Sequence, residues 1–120
     1  MEHKIFDIHE RIFQFVVAVL IDIRLVNKST ENQIILNQLI RSVTSVGAND
    51  QEADGVSTKR DFIHCYTVVR KELKESRYWL RLISELDSSY KSRLEVHILE
   101  ADELVKILSV IIRNAALPKN

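Results

Sequence analysis

The feature that most constrains this chain is how little turn material it contains. Its glycines are Gly47 and Gly55, and its one proline, Pro118, lies near the end. A sandwich or barrel needs a turn every 8–12 residues or so, rich in glycine and proline. With almost none available, the chain must run as a few long helices joined by short connections. Length and composition agree: 120 residues fit one domain, taken as 1–120, and a 46% apolar, 28% charged chain can bury a core.

Four helices are expected. The first runs over about 3–27. The second covers 30–53 and opens on T-E-N-Q, where Thr30 and Gln33 form a capping box. Gly55 suits a left-handed cap beyond it. The third covers 58–86, the polar DSSYKS segment turns the chain, and the fourth covers 92–115.

Helical phase assigns the buried faces. They are Ile5, Ile8, Ile12, Phe15, Val19, Ile23 and Val26 on the first helix, and Leu36, Leu39, Val43 and Val46 on the second. The third contributes Phe62, Tyr66, Val69, Leu73, Leu80 and Ile83; the fourth Leu94, Ala101, Leu104, Leu108, Ile111 and Ala115. The fold class is therefore all-α, an antiparallel up-down four-helix bundle.

The first helix breaks the pattern. Its solvent side carries Asp7, Glu10, Gln14 and Lys28, yet Val17, Ile21 and Leu25 run down that same side at a spacing of four. An apolar row there predicts a subunit interface and a homo-oligomer.

Gly47 raises a second question, because glycine inside a helix costs about 0.5–1 kcal/mol relative to alanine. Gln38, Ser42, Ser45, Asn49 and Glu52 form a narrow polar strip beside the apolar face. The expectation is a close helix approach at Gly47, with Asn49 and Glu52 hydrogen-bonded across it. A binding pocket is the alternative. Asp50 falls on the apolar face, which requires a distorted helix or a buried partner.

The third helix carries a basic arc: Arg60, Arg70, Lys71, Lys74, Arg77 and Arg81, with Tyr78 inside it. Arg70, Lys74, Arg77 and Arg81 form one row that can contact phosphates if the chain's acids face elsewhere. A solvated charged face is the competing reading. Lys+Arg and Asp+Glu are 17 each, so no global field draws in nucleic acid or an anionic membrane.

No catalytic set, cofactor site or metal centre is expected. Asp61 and His64 have Glu-x-x-His-like spacing but point away from the core, and His97, three residues before Glu100, reads as a packed histidine. Cys65 permits no internal disulfide and reads as an inert small hydrophobe. The longest apolar run, Phe15 to Ile21, is too short to span a bilayer, and the N-terminus lacks the order of a signal peptide. A cytoplasmic, non-enzymatic protein is expected, with no small-molecule substrate.

Gln38, Leu39, Arg41, Ser45, Asn49, Glu52, Ser57, Asp61 and Phe62, followed by Glu72, Glu75, Tyr78, Trp79 and Leu80, carry a family pattern. Over about 38–112 the chain resembles the bacterial four-helix-bundle family, also called 23S ribosomal RNA intervening-sequence proteins. Asp50 departs from it where an apolar residue is usual, and Ala53 where glycine is common. The resemblance implies a homopentamer of up-down bundles. It also implies genes within intervening sequences of ribosomal RNA genes, and kinship with the accessory protein of diversity-generating retroelements. The function it implies is an RNA-associated or ribonucleoprotein scaffold; the alternative is a protein-interaction module without nucleic-acid contact.

Overall fold

The computed structural model describes residues 7–118. Helix α1 spans Ile8–Asp22 and ends in a single 3-10 turn, Ile23–Leu25. Helices α2 (Thr30–Gly55) and α3 (Lys59–Leu86) follow, then a 3-10 turn at Ser88–Tyr90 and α4 (Lys91–Ala116). The expected helical start at residue 3, and Ile5 with it, lie outside the described residues. Among the described residues there is no strand, and the four helices are compatible with a four-helix bundle.

Local chemistry sets the ends. Asp7 caps α1 by accepting from the amides of His9 (2.9 Å) and Glu10 (3.4 Å). Thr58 caps α3 through the Asp61 amide at 3.1 Å.

Two expected caps are corrected. Ser29, not Thr30, caps α2, accepting from the Asn32 amide at 3.2 Å. The Asn32 side chain ties back to the Asn27 carbonyl at 3.0 Å, and the Gln33 side chain donates to the Lys28 carbonyl at 2.8 Å. These bonds draw the loop into the first turn, so the helix starts one residue earlier than a Thr30 cap allows. Gly55 is the last residue of α2 and does not have a positive φ. The chain leaves the helix through Val56 in extended geometry, so no left-handed cap forms.

The apolar faces meet in one core. Ile12, Val19, Leu39, Val43, Val46, Val69, Leu73, Ala101, Leu104 and Leu108 are fully buried, and Tyr66 nearly so. Ile8, Phe62 and Ile111, at the ends of their faces, are only partly buried. Polar pairs tie each helix to its neighbours: Ser42 to Ser76, Arg70 to Ser109, Arg11 to Glu100, Asp22 to His97 and His9 to Asp50. No helix among the described residues is long and apolar enough to cross a membrane.

Candidate functional site

The polar strip on α2 is buried at one position only. Ser42 is fully buried, and its hydroxyl lies 2.8 Å from the Ser76 hydroxyl of α3 and 3.1 Å from the Leu39 carbonyl. Beyond it the strip rolls out of the α2–α3 contact. Asn49, half-buried, donates to the carbonyl (2.9 Å) and hydroxyl (3.1 Å) of Ser45 in its own helix. Glu52 and Gln38 are exposed. The expected bonds from Asn49 and Glu52 to a neighbouring helix are therefore absent among the described residues. The inward position at this level belongs to Asp50, one residue further round the helix.

Gly47 does face α1, but without crowding. A Cβ built there would sit 3.5 Å from Val16 Cγ2, an ordinary contact. Helix approach does not require the glycine. Gly47→Ala should then raise stability by about 0.5–1 kcal/mol through helix propensity, read as a higher denaturation midpoint. A loss would show that the α1–α2 spacing cannot take a methyl group.

Asp50 resolves the anomaly of its phase by having buried partners on an undistorted helix. Asp50 is 1% exposed. It accepts from the Tyr66 hydroxyl of α3 at 2.9 Å and sits 2.9 and 3.0 Å from Nδ1 of His9 on α1. The outer ring nitrogen of His9 is 3.4 Å from Asp54. Burial disfavours the His9 cation, but its bond to Asp50 and the charges of Asp50, Asp54 and Asp7 outweigh that and raise its pKa. Burial, with Asp50 beside it, pushes the Tyr66 phenol well above its usual range. Sequence reasoning placed Tyr66 in the core and gave His9 no role. An acid on an apolar face was the available signal.

The basic arc on α3 is partly neutralised. Arg70 donates to Ser109 at 3.2 Å, and Arg77 Nε lies 2.5 Å from Asp102 of α4 as an ion pair, out of line for a hydrogen bond. Arg81 shares a groove with Glu85, Glu95 and Asp102. The condition for phosphate contact, that the chain's acids face elsewhere, is not met by α4: it packs against α3 with Asp102 and Glu95 on the arc side. Lys74 and Arg81 lack an ion-pair partner among the described residues, and both are exposed. Tyr78 is 54% exposed and meets Trp79 edge-on at 4.9 Å. Trp79 donates to Glu75, which also pairs with Arg41 of α2.

Among the described residues no group of three His, Cys, Asp or Glu side chains could hold a metal ion. Burial and the charges of Glu52 and Asp61 push the Cys65 thiol up, which disfavours the reactive thiolate. His97, expected as simple packing, instead has a strong partner, Asp22 Oδ2 at 2.6 Å, while Asp22 Oδ1 accepts from Arg93 at 3.2 Å.

The row on α1 is open. Ile21 is 50% and Leu25 59% exposed; Val17 is half-buried. Phe13, 58% exposed, extends the row by one more turn. On the adjoining face of α4, Val96 and Leu99 are also mostly exposed.

A family model described as 23S rRNA-intervening sequence protein matches residues 4–110. The chain belongs to that family. A crystal structure of a protein with unknown function from the S23 ribosomal protein family of Bacteroides thetaiotaomicron is similar. The identity is 30%, the TM-score is 0.75, and 88% of this chain and 95% of that one are covered. No curated protein matches the sequence.

Within the 23S rRNA-intervening sequence family, several pattern residues of this chain fill the core or join helices. Leu39 and Leu80 are core, while Arg41, Glu72 and Glu75 form an ion-pair cluster between α2 and α3. Asp50, the departure from the pattern, is the residue that gathers His9 and Tyr66.

Proposed function

We propose that this chain is a non-enzymatic, cytoplasmic bundle subunit that works by associating with copies of itself. The bundle is antiparallel and up-down: Arg41 meets Glu75 while Asp50 meets Tyr66, and Arg70 meets Ser109 while Arg77 meets Asp102. The polar clusters at Asp50, Asp22 and Ser42 join helices, which supports structural rather than catalytic roles. The observation that carries self-association is the row Phe13, Val17, Ile21 and Leu25 along α1 and its terminal 3-10 turn, with Phe13, Ile21 and Leu25 exposed and Val17 half-buried. The family resemblance supports a pentamer as the form of that proposed oligomer.

Light scattering tests this. The native chain should be oligomeric, and Ile21→Glu should be monomeric, because an unpaired carboxylate buried in an interface costs several kcal/mol. An unchanged assembly would remove the row as the interface.

The family's description favours a second reading, an RNA-associated or ribonucleoprotein scaffold. Its contact would centre on Lys74 and Arg81, with Arg70 and Arg77 already engaged. RNA affinity should then fall with salt at a slope of about −0.7 per contacted phosphate, and Lys74→Glu with Arg81→Glu should abolish it. Equal binding by the double variant would exclude the arc.

A further inference from the structure

The geometry points to His9 as a protonation latch: the N-terminal half of α1 stays docked on α2 and α3 while the ring carries its second proton, and is released when that proton leaves. Both ring nitrogens face carboxylate oxygens, Nδ1 towards Asp50 at 2.9 and 3.0 Å and Nε2 towards Asp54 at 3.4 Å. A neutral imidazole has one N–H and one lone pair. Whichever tautomer forms, one nitrogen then turns a lone pair towards an acid. Only the doubly protonated ring donates to both.

Among the described residues the surroundings supply no substitute cation. The charged groups facing His9 are Asp50 and Asp54 from α2 and Asp7 from the cap of α1. From α3 comes the neutral Tyr66 hydroxyl, already donated to Asp50. No charged group of α4 faces it among the described residues. The His9 side chain is 32% exposed, so its proton exchanges with solvent without unfolding. Asp50 is buried, so once the ring is neutral its carboxylate loses the positive charge beside it and cannot recover that loss from water while α1 stays docked.

Packing at this end is incomplete on the α2 side: Ile12 is buried in the core, but a crevice of about 290 Å³ lined by His9, Phe13, Val16, Thr44 and Gly47 runs between α1 and α2. The raised pKa of His9 gives the direction. Docking is fully supported below the ordinary value of 6.5 and weakens as pH rises through the higher docked value. Tyr66, shifted upward, keeps its proton throughout.

The test is amide exchange in the full chain from about pH 5.5 to 8.5, expressed as protection relative to the unfolded rate, with the His9 titration followed in parallel. Protection of residues 11–16 should fall as pH rises, while that of residues 66–80 stays level. The fall should approach tenfold per pH unit by which the docked His9 pKa exceeds the ordinary value of 6.5. Asp50→Asn removes the charge that makes the proton necessary and should flatten the profile; His9→Gln should be pH-independent. Level protection of residues 11–16 in the native chain overturns the latch, and so does an equal step in either variant. If a variant fails to fold, the native profile decides.

Discussion

Leu39→Ala should lower the stability of the bundle by about 2–5 kcal/mol. Leu39 is fully buried at the middle of α2, beside the Ser42–Ser76 pair that fixes α2 against α3. Removing its isobutyl group leaves a void that long, straight helices cannot collapse into without moving along their whole length. The substitution adds helix propensity, which offsets only a few tenths of a kcal/mol. Ile34→Ala is the control, since Ile34 is equally apolar, lies on the same helix and is 63% exposed. It should change stability by less than about 0.5 kcal/mol. Urea titration reads both as shifts in midpoint at constant slope. Similar losses for the two residues would mean that Ile34 is covered in the assembled protein.

That contrast shows what periodicity reveals. Ile34 and Leu39 have comparable hydropathy, and only the phase set by Leu36, Leu39, Val43 and Val46 separates them. Phase recovers the core of all four helices because burial repeats along each helix. It fails for contacts made once. His9 and Asp50 are 41 residues apart, Asp22 and His97 are 75, and Arg11 and Glu100 are 89. No local spacing encodes those pairs; they follow from how α1 lies against its neighbours. The basic arc fails for the same reason. Its row on α3 is real, but its partner Asp102 comes from α4, whose rotation about its axis the α3 sequence does not contain. The strip on α2 fails through geometry. Ser42 and Glu52 are ten residues apart, about 80° of helical phase, so Ser42 faces Ser76 while Glu52 is turned to solvent.

Removing the acid at the other end of α1 should cost about 1–3 kcal/mol in Asp22→Ala, with a signature in acid. Asp22 is the last α-helical residue of α1, and its carboxylate accepts from His97 at 2.6 Å and Arg93 at 3.2 Å on α4. The His97 side chain is 8% exposed, so losing Asp22 strands a buried ring nitrogen. Arg93 is 55% exposed and returns to water at little cost. Burial raises the Asp22 pKa, but the bonds and charges of His97 and Arg93 outweigh it and hold the carboxyl below its ordinary value of 3.8. A depressed folded-state pKa contributes stability that is complete above the ordinary value and disappears as pH falls through the depressed one. Asp22→Asn keeps a carbonyl acceptor and loses the charge, so urea titrations at falling pH separate the two effects. The native chain should lose stability faster than Asp22→Asn as pH drops below 3.8. Parallel profiles would place the value of Asp22 in its shape. A steeper native profile identifies its charge as the tie that holds the C-terminal turn of α1 to α4, at the opposite end of the helix from His9.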